Sequence, residues 1–178
     1  MKTTKLEKLN ACKDAVKWVK TQKSILQAWL NCERGDWMLW LAEKLNVDDK
    51  KLTLTKVKIV EPVRHLLKDQ RSKDALQACF NYANGKITRK RLNVYAADAY
   101  AAYAAAAADV DDKKLTMAAD AAYAYAAYAA ANALLRAANF AADAADAYVR
   151  VNSLKKSADI CREYLTDEVI LKYKNLKV

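Results

Sequence analysis

The sequence predicts an all-α fold, a bundle of about seven to nine helices whose alanine- and tyrosine-rich C-terminal members pack closely. Three observations predict it. Of 178 residues 36 are alanine, the best helix former, against two glycines and one proline. A β-sandwich needs many tight turns built on glycine, proline and Asn/Asp-Gly pairs, which this composition cannot supply. Apolar residues recur every three or four positions along almost the whole chain, and Ser, Thr or Asp stands where such runs begin.

The first helix opens at the capping box Thr4-Lys5-Leu6-Glu7, and Leu6, Leu9, Cys12, Val16 and Val19 form its apolar face. A second capping box, Ser24-Ile25-Leu26-Gln27, opens a helix carrying Ile25, Ala28, Trp29 and Cys32, with Gly35 as its stop. Asp36 then caps an aromatic helix containing Trp37 and Trp40, and Asp48 or Asp49 starts the next. Over 51–60, Leu52, Leu54, Val57 and Ile59 partly alternate, but no second strand exists to pair with them. Helix is therefore expected, with a kink or break at Pro62. Ser72 caps the helix of Ala75, Leu76, Cys79 and Phe80, Gly85 stops it, and Thr88 caps a helix running into the alanine region.

Residues 96–147 hold 28 of the alanines and a repeated Ala-Ala-Asp-Ala at 96–99, 118–121 and 141–144, with tyrosines beside it. Alanine lets helix backbones approach closely, and tyrosine supplies bulk with a hydroxyl that reaches the rim. A turn is expected at Asp109–Asp112 and a break near Asn132–Asn139. The whole is expected to form one domain, 1–178, with a basic, tryptophan-containing half over 1–93 and an alanine-rich half over 94–178.

The formal charge is +10, and residues 1–94 carry 21 Lys/Arg against 10 Asp/Glu. Such a half attracts anionic partners or serves as a solvated lysine face. The four cysteines, Cys12, Cys32, Cys79 and Cys161, contain no close pair, and His65 is the single histidine. That set excludes a zinc site, and no metal or cofactor is expected. The N-terminus lacks the apolar core of a secretory signal, so a cytoplasmic protein with reduced thiols is expected, each cysteine acting as a small core residue. The weakly apolar stretch 118–142 contains Asp120, Asn132, Arg136 and Asn139, which argues against a membrane span.

No nucleophile motif, phosphate-binding glycine loop or carboxylate pair is present, so no enzyme is expected. Two clusters carry more information. In 29–40, Trp29, Trp37 and Trp40 surround Arg34 and Asp36; in 64–72, Arg64, His65, Asp69 and Arg71 flank an apolar pair. A shorter one is Asp159 to Arg162. Helix caps and inter-helix salt bridges account for such residues as the simpler reading. The functional alternative is that Arg34, Arg64, His65, Arg71 and Arg162 converge on an anionic ligand or partner, with Trp37 or Trp40 stacking on it.

The string Ala11-Cys12, Trp18, Ala28-Trp29, Cys32, Gly35-Asp36-Trp37-Met38-Leu39-Trp40, Arg64-His65-Leu66, Asp69, Arg71-Ser72 and Ala158-Asp159-Ile160-Cys161-Arg162 resembles the immunity-protein-like family of polymorphic toxin systems and phages. The likeness covers nearly the whole chain. It implies an all-helical, non-enzymatic protein and carries no agreed binding residues. The leading expectation is therefore a non-catalytic cytoplasmic binder that neutralises a toxin or defence protein. A sponge for a small anionic ligand, such as a nucleotide signal, is the alternative, and nucleic-acid binding is a third. Oligomeric state stays open.

Overall fold

The computed structural model describes residues 4–66, 69–108 and 147–177. Among these every regular element is a helix: α1 (Thr4–Lys8), α2 (Lys13–Lys20), α3 (Ile25–Asn31), α4 (Gly35–Lys44), α5 (Asp49–Val60), a 3-10 turn (Glu61–Leu66), α6 (Gln70–Ala83), α7 (Arg89–Ala108) and α8 (Ala147–Asn175). The all-α expectation holds, including helix rather than strand for 51–60. The α-geometry ends at Val60, just before Pro62. The second and third Ala-Ala-Asp-Ala copies, the turn at Asp109–Asp112 and the break near Asn132–Asn139 lie outside the described residues.

Several helix ends obey their sequence signals. The Ser24 hydroxyl accepts from Gln27 N–H at 3.1 Å. Asp48 Oδ1 accepts from Lys51 N–H at 2.9 Å, and Thr88 Oγ1 from Arg91 N–H at 3.3 Å. Gly85, with φ 72°, closes α6: its N–H donates to Tyr82 O and Lys86 N–H to Asn81 O, the paired bonds of a left-handed helix stop.

Other ends correct the sequence expectations. The first apolar stripe is not one helix. Asn10 takes φ 62° and ends α1 with the same paired bonds, Asn10 N–H to Glu7 O and Ala11 N–H to Leu6 O. Asn46, with φ 51°, ends α4 in the same way. Asparagine tolerates the left-handed region that glycine usually fills, and in a chain with two glycines it takes over that role. The break leaves Cys12 exposed at the start of α2, so it is not a core residue; Cys32, Cys79 and Cys161 are buried. Gly35 is not a helix stop but the first residue of α4, and Asp36 lies in the first turn rather than at the cap. Asp69, not Ser72, caps α6, its Oδ1 accepting from Arg71 N–H at 2.8 Å.

The chain divides into two compact units, Met1–Leu52 with Val151–Val178, and Thr53–Arg150. The division falls within α5. In the first unit α8 returns the chain to the N-terminal helices. Ala158, Cys161, Leu165 and Val169 form a fully buried stripe at helical spacing. It joins a core including Leu6, Val16, Trp29, Met38, Leu39 and Ala42. Gly35 meets α8 so closely that a Cβ on it would lie 2.8 Å from Ala158 N.

Cations in this unit satisfy helix C-terminal carbonyls, which have no partner within their own helix. Arg162 Nη1 donates to Cys32 O, after α3, at 2.6 Å. Lys172 Nζ donates to Asn46 O, after α4, at 2.7 Å. Lys5 Nζ donates to Tyr173 O and Lys174 O, at the end of α8, both at 3.1 Å. Part of the basic excess is thereby structural.

In the second unit α6 packs on α7. The core comprises Val57, Val60, Ala75, Leu76, Ala78, Cys79, Tyr82, Leu92, Ala96 and Ala99. In the first Ala-Ala-Asp-Ala copy Ala96 and Ala99 are buried, while Ala97 and Asp98 are exposed.

Candidate partner-binding site

The first unit carries a hollow of about 310 Å³ lined by Trp18, Asn31, Cys32, Glu33, Arg34, Trp37, Leu154 and Lys155. It forms because α3 stops at Asn31 and the chain runs extended through Cys32, ψ 123°, before α4 begins. That short link would leave polar groups bare. Arg162 takes the Cys32 carbonyl, the Cys32 thiol donates to Arg34 O at 3.6 Å, and Met38 N–H donates to Arg34 O at 3.1 Å.

The Arg34 side chain folds over the start of α4. Its Nε and Nη2 reach the two Asp36 carboxylate oxygens at 2.8 and 2.6 Å, a two-pronged pair with fixed geometry. This bond, more than any other influence, raises the guanidinium above its usual range. The same guanidinium lies over the Trp37 ring at 4.5 Å. Trp37 meets Trp18 of α2 with ring centroids 6.3 Å apart, tilted by 58°, within the range of favourable aromatic pairs. Across the rim Lys155 Nζ pairs with Glu33 at 3.0 Å. Two cations and two carboxylates thus neutralise one another around an aromatic wall.

Behind this wall an apolar slot includes Leu6, Trp29, Met38, Trp40 and Leu41 and shares Trp18, Cys32 and Trp37 with the hollow. Trp40 therefore belongs to the support of the wall. Trp29 is buried and donates from Nε1 to Thr166 Oγ1 at 2.8 Å, and that hydroxyl donates to Arg162 O at 2.6 Å. Burial raises the Cys32 thiol above its ordinary range and keeps it protonated and unreactive.

Of the residues singled out in the sequence, Arg34, Asp36 and Trp37 come together at the hollow. Arg162 holds the α3 terminus and pairs with Asp159 on its own helix. In the second unit Arg64 pairs with Glu61 at 3.4 Å on the 3-10 turn, where His65 is exposed. Arg64 also lines a separate hollow with Lys58, Gln77 and Phe80. Arg71 donates from Nε and Nη2 to Asp69 at 3.1 and 2.9 Å, and these bonds hold the Asp69 carboxyl below its usual range. Each of these arginines has a carboxylate partner two or three residues away.

Sequence reasoning missed Trp18 and Lys155. Trp18 entered only within the string that carries the family resemblance, and nothing in the sequence joins Lys155 to Glu33. The buried Lys56 of the second unit also escaped it. Among the described residues no three His, Cys, Asp or Glu side chains gather where they could hold a metal ion, and no helix is long and apolar enough to cross a membrane. Searches against protein-family models, curated proteins and solved structures return no match.

Proposed function

We propose that the chain is a non-catalytic cytoplasmic binding protein that neutralises a toxin or defence protein, with the Trp18–Trp37 hollow as its anchor point. The observation that carries this reading is the charge balance of the hollow. Arg34 is engaged by Asp36 and Lys155 by Glu33, so little positive charge remains for an anion. What the hollow offers instead is half-buried tryptophan with an arginine stacked on it. Trp and Arg are the residue types that dominate protein–protein anchors. A free nucleotide would have to displace a carboxylate from Arg34, which weakens the sponge alternative. Among the described residues that line the hollow there is no histidine, serine or tyrosine, and burial raises the thiol above its ordinary range, which supports binding rather than catalysis. The likeness to immunity-type proteins points the same way.

A photo-crosslinking amino acid in place of Lys155, in producing cells, tests this. A single protein adduct that disappears when Trp37→Ala is added supports the proposal. Adducts that persist unchanged in Trp37→Ala, or only nucleotide adducts, contradict it.

A further inference from the structure

The apolar slot behind the Trp18–Trp37 wall is lined by all four tryptophans of the chain, Trp18, Trp29, Trp37 and Trp40. Ala11, Ala15 and Ala28 line it too, and these small residues leave the room that the indoles surround. About 50 Å³ stays free. A core that serves stability alone packs without such a space, because its lining forfeits contacts across it. Ala11, Ala15, Trp18, Trp37 and Trp40 are only partly buried, so the slot is reached from the surface.

Water gains little in the slot, since each molecule needs about two to four polar partners. The two buried lining residues with polar side chains have theirs engaged: the Trp29 N–H donates to Thr166, and the Cys32 thiol to Arg34 O. Apart from the indoles and that thiol, the lining is aliphatic or methionine. A charged or amide side chain entering it would lose its own hydrogen bonds to water. Size narrows the choice further. An apolar cavity of about 150 Å³ holds benzene. A slot of about 50 Å³ excludes an aromatic ring and admits the end of an aliphatic chain.

Slot and hollow share Trp18, Cys32 and Trp37, so a partner segment seated in the hollow brings a neighbouring side chain to the slot. We infer that the four-tryptophan slot receives one aliphatic side chain of the partner, of leucine, isoleucine or methionine size. The inference rests on the reading of the hollow as the partner's anchor and names the chemistry that enters beside it.

The test titrates the full chain with the N-acetyl amides of alanine, valine, leucine, methionine, phenylalanine and tryptophan. The indole N–H signals are followed by NMR and assigned with Trp18→Phe, Trp37→Phe and Trp40→Phe. Each buried methylene is worth about 4-fold in affinity. The leucine and methionine amides should bind at least ~10-fold more tightly than the alanine amide, and the phenylalanine and tryptophan amides more weakly than the leucine amide. Ala15→Leu, shown by circular dichroism to be folded, fills the slot and should abolish the leucine-amide shifts, while Lys155→Gln in the hollow should leave them unchanged. The inference is overturned if no amide gives saturable shifts, if affinity keeps rising through phenylalanine and tryptophan as on any apolar surface, or if Ala15→Leu still binds the leucine amide. Should Ala15→Leu not fold, the amide series on the parent chain decides alone. The photo-crosslink placed at Lys155 separates this inference from the reading beneath it. An adduct lost in Trp37→Ala but kept in Ala15→Leu leaves the anchor standing and removes the aliphatic insertion.

Discussion

Gly35 of α4 meets Ser157 of α8 with no room for a side chain between them. A Cβ on Gly35 would fall inside the Ser157 side chain and 2.8 to 2.9 Å from the backbone of Ser157 and Ala158. Backbone cannot swing away as a flexible side chain can, so Gly35→Ala must push the two helices apart. A loss of about 3 kcal/mol is expected, at the upper end of core overpacking, read as a shift in urea midpoint at unchanged m-value.

The left-handed stops make a contrasting set. Gly85→Ala should cost about 1 kcal/mol, the penalty for a Cβ in that conformation. Asn46→Gly should be neutral or raise stability by a few tenths of a kcal/mol, and Asn46→Ala should lower it by about 1 kcal/mol. Equal effects of Gly and Ala at position 46 would contradict the assignment of Asn46 as a helix stop.

Arg162 and Thr166 hold α8 to the end of α3 through the Cys32 carbonyl and the Trp29 indole. Thr166→Val keeps the shape but leaves a buried N–H unpaired, at a cost of about 1 to 3 kcal/mol. Arg162→Met should also destabilise, because Cys32 O loses its donor. Thermal melts monitored by tryptophan emission check both. Melts that match the parent would show that these bonds do not hold the unit together.

The thiols should separate by burial. Cys12 is exposed and should react first with a thiol reagent, while Cys79 is pushed up to about 12 by desolvation and should stay inert until the chain unfolds. The unfolded thiol loses its proton near 9.0, whereas the folded one keeps it. The Cys79 contribution is therefore complete below that value and declines as pH rises toward about 12, by on the order of 1 kcal/mol per pH unit. Urea midpoints from about pH 8 to 11 should fall more steeply for the parent than for Cys79→Ala. Parallel curves would contradict it.

Asp69 works in the opposite direction. Hydrogen bonds from the Arg71 side chain, then from its backbone N–H, hold the carboxyl below its ordinary 3.8. Its stabilisation is therefore present above 3.8 and lost as pH falls below it. Asp69→Asn can still cap α6 but carries no charge, so its acid unfolding should be less steep than that of the parent.

The helices were legible in the sequence because local chemistry makes them. Ser24, Asp48 and Thr88 announce helix starts, and Gly85 announces a stop. Asn10 and Asn46 were not legible, since asparagine is ordinary on a helix surface and only its φ reveals the stop. Gly35 was misread because a glycine after a helix and a glycine at a helix crossing look alike until the crossing partner, α8, is in place. At the candidate site, Arg34, Asp36 and Trp37 were legible as a dense polar-aromatic string. Trp18 and Lys155 were not, because tertiary packing alone brings α2 and α8 to that string.

The most direct measurement is native mass spectrometry of the full chain isolated from cells that produce it, alongside Trp37→Ala and Arg34→Gln variants shown by circular dichroism to be folded. The expected result is a complex with one additional polypeptide at fixed stoichiometry, absent from both variants. A chain that carries a nucleotide-sized adduct instead, or a polypeptide retained equally by both variants, would contradict the Trp18–Trp37 hollow as the anchor of a partner-neutralising protein.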